Sequence, residues 1–68
     1  MNLDDLEAFS AFAECLNFTH AAEKLSISQP ALHAKIRNLG KNLGAGLYVK
    51  EGRSLRLTLS GEKLARYA

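Results

Sequence analysis

The longest amphipathic pattern in the chain lies between positions 28 and 44. Apolar residues separated by four, three and four positions form one stripe along a predicted helix: Leu32, Ile36, Leu39 and Leu43. Ser28 is a suitable N-cap, and Pro30 falls in the first turn, where its missing N–H costs nothing. Gly44 predicts the C-terminal stop, although Gly40 destabilises the last turn by about 1 kcal/mol relative to alanine and favours an end near position 38 or 39.

A second helical pattern occupies residues 2–16, and we expect this helix to support the core. Its apolar residues recur at intervals of three and four positions: Leu3, Leu6, Phe9, Ala13 and Leu16. Phe12 is expected on the edge of this stripe. Asn2 is a suitable N-cap, and the acids at positions 4, 5 and 7 suit the positive end of the helix dipole.

A short helix is predicted between these two patterns. Thr19 is its expected N-cap, because the threonine hydroxyl accepts a backbone N–H of the opening turn. Positions 25–27 are too few for anything but a tight turn before the helix that Ser28 caps. Residues 18–37 therefore predict a helix-turn-helix.

Two segments with β-favouring or alternating content follow, at residues 47–50 and 55–58. The turn between them contains Gly52, so a β-hairpin is predicted, which after a helix-turn-helix is a wing. Thr58 is a suitable cap for a final helix over residues 59–68. Its apolar residues either pack on the first helix or meet a second copy of the chain: Leu59, Leu64 and Tyr67.

The composition fits one small domain with a compact core, since 47% of the 68 residues are apolar. The single cysteine, Cys15, excludes an internal disulfide and suits a reducing compartment. No apolar run approaches the roughly 18 residues that a membrane span needs, and the acidic N-terminus lacks the basic region of a signal peptide. We therefore expect a cytoplasmic protein without membrane contact.

Charge is divided along the chain. Residues 1–23 carry five acids and no lysine or arginine, whereas residues 24–68 carry nine bases and two acids, giving net charges of −5 and +7. A chain polarised in this way can present a basic face to a polyanion. Uneven charge also arises by chance in small domains, so this signal supports nucleic-acid binding without deciding it.

The outer face of the helix that Ser28 caps is small, polar and basic, and it carries no acid. A helix of this kind in a helix-turn-helix fits the DNA major groove, although a solvated face of an ordinary helical hairpin is the alternative. The expected base-facing residues are Ser28, Gln29, Pro30, His33, Ala34 and Arg37. Thr19 and His20 are expected beside a phosphate, with His20 joined by free N–H groups of the helix N-terminus. A plain surface histidine is the alternative interpretation of His20.

The predicted wing carries three further candidate contacts. Arg53 lies at its tip, where it can enter the minor groove, because the negative potential of that groove attracts arginine. Lys50 and Arg56 would flank it near phosphates, and Glu51 is expected to point away from DNA. A solvated loop arginine is the alternative interpretation of Arg53.

No arrangement of residues predicts catalysis or metal binding. His20 and His33 lie 13 positions apart, with no cysteine or carboxylate at metal-ligand spacing. The serines have no recognisable general base, and the glycines fit neither nucleotide-binding fingerprint. We therefore expect no enzyme activity, no cofactor and no metal.

The sequence resembles the N-terminal DNA-binding domain of LysR-type transcriptional regulators. The most specific segment runs from Ala21 to Leu32 and reads A-A-x-x-L-x-I-S-Q-P-A-L. Further matching positions are Phe9, Phe18, Thr19, Ile36, Leu39, Leu43, Gly44, Leu47, Tyr48, Gly52, Arg53, Leu57, Thr58 and Gly61. The resemblance covers essentially all 68 residues and implies a bacterial winged helix-turn-helix that binds DNA as a dimer. It also implies that Ser28, Gln29, Pro30 and His33 face the major groove, that Arg53 is the wing arginine, and that Lys50 lies near phosphate.

The chain departs from the family pattern at four positions. His33 stands where serine is common, and Ala34 stands where a basic or polar residue is frequent. These two changes imply an altered base preference, because histidine can donate to guanine or accept from adenine, whereas alanine can only touch a thymine methyl. Gly40 replaces a common acid, and His20 replaces a frequent arginine.

Length is the largest departure. Family members continue through a long linker helix into an effector-binding domain, whereas residues 59–68 match only the first turns of that linker. The resemblance therefore implies a DNA-binding domain over residues 1–58, a truncated linker after it, and no effector-binding domain or effector binding. It implies a homodimer through the linker helix in the full-length protein, while this fragment is either dimeric or monomeric until it meets DNA.

These expectations combine into a mainly α winged helix-turn-helix, with a three-helix core, a β-hairpin wing and the start of a linker helix. Its expected function is sequence-specific binding of double-stranded DNA as the DNA-binding domain of a transcriptional regulator. The alternative is a winged-helix protein-interaction module without specific DNA binding, which weak salt dependence of any binding would favour.

Overall fold

The computed structural model describes residues 2–67 as four helices and one antiparallel two-stranded sheet. The elements are α1 (Leu3–Cys15), α2 (Phe18–Leu25), α3 (Gln29–Leu43), β1 (Tyr48–Glu51), β2 (Ser54–Leu57) and α4 (Leu59–Tyr67). The predicted winged helix-turn-helix is confirmed, with α2 and α3 as the helix pair and the β1–β2 hairpin as the wing. Position 68 of the predicted final helix lies outside the described residues.

Short polar side chains cap the helices, and one predicted cap is wrong. Asn2 accepts the backbone N–H of Asp4 at 2.8 Å, and Ser28 Oγ accepts that of Ala31 at 3.2 Å, as expected. The cap of α2 is Asn17 and not Thr19, because Asn17 has the extended backbone that a cap requires. Its side chain accepts the His20 N–H at 3.0 Å.

The helix α3 continues to Leu43, so the early end predicted from Gly40 is wrong. Gly44 closes the helix in the left-handed conformation, with φ of +68°, and its N–H donates to the carbonyls of Gly40 and Lys41. A Cβ on Gly40 would lie 3.0 Å from the Ala45 carbonyl oxygen. Glycine at position 40 thus lets the chain fold back closely after α3, which offsets its low helix propensity.

The core lies where α1 crosses α2 and α3. Its largest fully buried side chains are Phe9, Phe12, Leu32 and Leu39. Three predictions about the stripes are corrected, because Phe12 is completely buried and not on an edge, while Leu3 and Leu43 are 72% and 44% exposed. The apolar pattern within one helix cannot predict which of its residues are buried. Because α1 packs against both α2 and α3, its buried face is wider than the predicted stripe and is centred on different residues.

One acid of α1 is buried with the core. Asp5 is 7% exposed, and its Oδ1 lies 4.0 Å from Nζ of Lys35 on α3. The predicted position in the first turn of α1 is correct, but the sequence pattern did not indicate burial. The carboxylate therefore faces both the helix N-terminus and a cation on the neighbouring helix.

The wing and α4 are tied together at Thr58. The hairpin pairs Tyr48 with Leu57 and Glu51 with Ser54, and its turn has Gly52 at φ of +60°. The Thr58 hydroxyl donates to the Gly46 carbonyl at 2.7 Å and accepts the Gly61 N–H at 3.0 Å. This residue therefore caps α4 as predicted and holds the helix against the base of the wing.

The apolar residues of α4 do not all pack within the domain. Leu64 is 8% exposed and completes the core, whereas Leu59 and Tyr67 are 70% and 86% exposed. Gly61 permits this docking, because a Cβ there would lie 2.0 Å from the Leu47 carbonyl oxygen. One side of α4 thus belongs to the domain, and the other presents apolar side chains to solvent.

Candidate nucleic-acid interface

Five of the six predicted base-facing residues are exposed at the N-terminal end of α3 and along its outer side: Ser28, Gln29, Pro30, Ala34 and Arg37. Position 28 caps the helix, so this exposed series begins at the turn between α2 and α3. The outer side continues to Lys41, which is also exposed. No acidic side chain occurs anywhere on α3, as the sequence pattern predicted.

The sixth base-facing candidate, His33, is half-buried in an aromatic stack. Its ring lies 3.8 Å from that of Phe18, centroid to centroid, with only 18° between the ring planes. Phe18 in turn stacks on the fully buried Phe12 at 4.3 Å, and Tyr48 meets both phenylalanine rings edge-on. An aromatic column therefore runs from the core to the outer side of α3 and restricts the imidazole to one plane.

Sequence reasoning did not find this column. The contact joins the first residue of α2 to the second turn of α3, so it depends on the angle between the two helices. Two features of the sequence were consistent with such a contact: a histidine, His33, at a position expected to be exposed, and an aromatic residue, Phe18, near the start of the preceding helix. That signal is weak without a known interhelical geometry.

The wing residues Lys50, Arg53 and Arg56 are all exposed, and Arg53 lies in the hairpin turn beside Gly52. The structure brings Arg56 together with Glu51, with Nε 2.8 Å from Oε1 and Nη2 3.3 Å from Oε2. These hydrogen bonds, followed by the charge of Arg56, hold the pKa of the Glu51 carboxyl below its ordinary value. Glu51 therefore neutralises a cation that was expected to approach phosphates.

At the start of α2, Thr19 and His20 are exposed. The expected partnership between His20 and a free N–H is corrected in part, because the His20 N–H already donates to the Asn17 side chain. A phosphate at this helix end would therefore be met by the side chains and by other N–H groups of the first turn. Asn17 takes the N–H that sequence reasoning had left open.

Opposite charges meet elsewhere between α1 and α2. Lys24 Nζ lies 2.9 Å from Glu14 Oε2, and this contact lowers the pKa of Glu14 and raises that of Lys24. Both side chains are exposed. One acid of the negative N-terminal segment is therefore paired, and the exposed bases of α3 have no acid on their own helix.

Other kinds of site are not formed by the described residues. Residues 2–67 hold no group of three or more histidine, cysteine or acidic side chains arranged to hold a metal ion. Within the same range, no helix has both the length and the apolar character that crossing a membrane requires. The feature that distinguishes this surface is the basic, acid-free side of α3 next to a wing with an arginine at its tip.

A helix-turn-helix, an exposed recognition-type helix and a wing together define a winged helix-turn-helix DNA-binding domain. The family model described as "Bacterial regulatory helix-turn-helix protein, lysR family" matches residues 3–62. The chain belongs to this family, so the resemblance found in the sequence is confirmed. Proteins of this family are transcriptional regulators.

Similar proteins agree with this assignment. The chain is 48% identical over 62 residues to the Hca operon transcriptional activator HcaR of Escherichia coli K12, covering 91% of this chain and 21% of HcaR. A crystal structure of a LysR-family regulator from Eggerthella lenta superposes with a TM-score of 0.93 at 33% identity, covering 98% and 96% of the two chains. The crystal structure of the BenM DBD in complex with catB site 1 DNA superposes with a TM-score of 0.91 at 39% identity. The match covers 98% of this chain and 75% of the BenM DBD chain. The chain thus spans about a fifth of the length of HcaR.

Proposed function

We propose that this chain binds double-stranded DNA in a sequence-specific manner, with α3 in the major groove and the wing in the minor groove. The observation that carries the proposal is the continuous exposed side of α3, which is basic and free of acids and lies beside the hairpin that presents Arg53. The 39% identity to the BenM DBD, whose crystal structure contains DNA, supports it. The proposed activity is binding and not catalysis, and it is exercised in the cytoplasm, where bacterial chromosomal DNA lies.

The proposed contacts fall into two groups, according to the part of DNA that each residue contacts. Base edges are assigned to Ser28, Gln29, Pro30, His33, Ala34 and Arg37. Phosphates and the minor groove are assigned to Thr19, His20, Lys50, Arg53 and Arg56. Base contacts specify a sequence, whereas phosphate contacts position the domain on any duplex, so the two groups differ in what their removal changes.

The base preference of the α3 surface follows from two neighbouring residues. The stacked imidazole of His33 has its plane set by Phe18 and can donate to guanine or accept from adenine. Ala34 is exposed but has only a methyl group, so a thymine methyl is the base feature that it can contact. We propose that this pair gives the domain a base preference different from that of relatives with serine and a basic or polar residue at these positions.

We further propose that residues 1–58 are the DNA-binding unit and that α4 begins a linker helix through which two copies pair. Leu59 and Tyr67 leave an apolar surface on α4 exposed. An open groove of about 440 Å³ lies next to it, lined by Leu6, Leu43, Ala45, Ser60, Lys63, Leu64 and Tyr67. A second copy of α4 would cover these apolar side chains and place two α3 helices on one palindrome.

The proposed function is tested by selecting duplexes from a random pool and titrating the 68-residue chain. Affinities are compared on the best palindrome and on a random duplex at two salt concentrations. We expect tighter binding to the palindrome, two chains per palindrome, and steep weakening with salt. Equal affinity for all duplexes would contradict the specificity, and one chain per palindrome would contradict the pairing. Absence of binding at low salt would refute DNA binding and favour the protein-interaction module.

Replacing Arg37 with alanine is expected to lower affinity for the selected duplex by about 1–3 kcal/mol and to relax the preference at one base pair. The reason is that the exposed guanidinium lies on the side of α3 assigned to the bases. The measurement is a titration against duplexes that vary one position at a time. Lys24→Ala is the matched control, because Lys24 is an exposed base outside the proposed interface. Equal weakening by Arg37→Ala on every sequence would reassign Arg37 to a phosphate.

Replacing Glu51 with glutamine is expected to strengthen DNA binding and to steepen the salt dependence of log K by about 0.9, the value of one more phosphate contact. The substitution removes the carboxylate that holds the Arg56 guanidinium at 2.8 Å and so frees that cation for DNA. Glu14→Gln is the matched control, because it frees Lys24 from a similar exposed pair outside the proposed interface. An unchanged salt slope in Glu51→Gln would show that Arg56 meets no phosphate.

A further inference from the structure

A cleft separates the second half of α3 from the beginning of β1. Its volume is about 620 Å³, and it is open to solvent along the side of α3 that carries Arg37. The lining consists of His33, Ile36, Arg37, Gly40 and Lys41 from α3, residues 44–46 of the loop, and Leu47 and Tyr48. Two of these side chains are permanent cations and none is acidic, so the chemistry of the cleft favours an anion.

Two of the carbonyl groups in the last turn of α3, those of Gly40 and Lys41, accept hydrogen bonds within the chain. The Gly40 carbonyl accepts the N–H groups of Gly44 and Ala45, and the Lys41 carbonyl accepts that of Gly44. The partial negative charge at this helix end is therefore reduced. Lys41, in the same turn, adds an exposed cation at this point.

Gly46 is the glycine that the fold does not explain. Gly44 and Gly52 have positive φ, and Gly40 and Gly61 lie against backbone oxygens that a Cβ would meet at 3.0 Å and 2.0 Å. At Gly46, φ is not in the left-handed range, and no atom lies within 4 Å of the Cβ position. A glycine without a conformational or packing requirement suits the close approach of a ligand to the backbone.

Only one of the two hydrogen-bonding groups of the Gly46 backbone has a partner within the described residues. Its carbonyl accepts the Thr58 hydroxyl at 2.7 Å, whereas its N–H donates to no acceptor within residues 2–67. An N–H donor beside two cations is a suitable partner for a phosphate oxygen. The loop therefore combines space, positive charge and a hydrogen-bond donor.

The proposed docking of α3 and the wing on DNA determines which phosphate would reach the cleft. If α3 occupies the major groove and the wing occupies the adjacent minor groove, the sugar-phosphate backbone that separates the two grooves must pass between α3 and the wing. The cleft occupies this position in the fold. Resting on the proposed function, this geometry makes the cleft the point of closest approach between the loop and that backbone.

We propose that the α3–β1 cleft seats the phosphodiester backbone between the two grooves, with Lys41 as its cation and Gly46 as the point of backbone approach. Arg37 connects this phosphate site to the base-facing side of α3. The cleft therefore sets the position of α3 along the duplex without reading sequence. Lys41 and Gly46 are positioning residues for the bases that α3 reads.

The test compares Lys41→Gln and Gly46→Ala with the unsubstituted chain on a random duplex and on the selected palindrome. Lys41→Gln should reduce the salt slope of log K by about 0.9 per bound chain. It should also lower the affinity for both duplexes by the same factor. Gly46→Ala should weaken binding to both duplexes about tenfold, because the added Cβ moves the phosphate away from the N–H, while the thermal stability of the variant is not lowered. Lys24→Gln, which removes one exposed charge from outside the proposed interface, should leave the slope unchanged.

The outcomes separate this proposal from the proposed function. If the unsubstituted chain binds DNA but both variants keep its affinity and salt slope, the cleft proposal is wrong and the proposed function stands. Weakening confined to the palindrome would also overturn it, because a phosphate site acts on every sequence. If the unsubstituted chain does not bind, both proposals fail. A single neutral methylphosphonate in the palindrome that abolishes the effect of Lys41→Gln would identify the phosphate and support the cleft.

Discussion

Replacing Phe12 with alanine should lower the free energy of unfolding by about 3–5 kcal/mol. Phe12 is fully buried and contacts three other aromatic rings, at centroid distances of 6.5 Å to Phe9, 4.3 Å to Phe18 and 5.4 Å to Tyr48. A cavity at this position cannot easily collapse, because the rings around it belong to α1, α2 and β1. A domain of this size has about 3–5 kcal/mol of stability from its core, so much of the population should unfold.

The measurement is thermal and urea denaturation followed by far-ultraviolet circular dichroism. Leu3→Ala is the control on the same helix, since Leu3 is 72% exposed and its loss should change stability by about 0.5 kcal/mol or less. A comparable loss in both variants would contradict the packing described for α1. It would indicate instead that the regular apolar spacing of the sequence, which includes Leu3, describes the core better.

Replacing Gly61 with alanine should destabilise the domain by about 3 kcal/mol, the upper part of the range for overpacked sites. The added Cβ would lie 2.0 Å from the Leu47 carbonyl oxygen and 3.1 Å from its carbon, so backbone and not a flexible side chain must move. The same carbonyl accepts the Thr58 N–H at 3.1 Å. Movement would therefore separate α4 from the base of the wing and expose Leu64.

Gly46→Ala is the matched control for this substitution. Both variants add one methyl group within the same part of the fold, but the Cβ at position 46 meets nothing within 4 Å. Stability should therefore be unchanged or rise by about 0.4–1 kcal/mol, since alanine restricts the unfolded chain. Denaturation of the two variants side by side checks the pair. Equal stability would contradict the close docking of α4, and equal destabilisation would contradict the open space at Gly46.

Much of the interface could be predicted from local spacing. A cap at Ser28, a stop at Gly44 and an apolar stripe between them determine which residues of α3 face outward, so the exposed positions of Gln29, Ala34 and Arg37 followed directly. Those inferences use separations of a few residues within one helix. The wing was likewise predicted from two short segments of β-favouring or alternating content and the turn at Gly52 between them.

One failed prediction and two contacts that were not predicted involve choices between near-equivalent residues or contacts between elements. Asn17 and Thr19 are both suitable caps, and the choice between them depends on where the chain leaves α1, which ends in the left-handed residue Leu16. The pairing of Glu51 with Arg56 requires the hairpin register, because the two residues lie on opposite strands. The stack of His33 on Phe18 requires the orientation of α3 relative to α2.

By itself, the sequence determined the order of the elements, three of the four helix caps and the outward direction of the basic residues of α3. These properties depend on backbone hydrogen bonds and side-chain directions within a turn or two of one element. Only the tertiary structure decided that Phe12 is buried while Leu3 is exposed, that His33 is held by an aromatic column, and that a basic cleft opens between α3 and β1. Each of these depends on distances between elements, which the angles of packing set and which spacing along the chain does not encode.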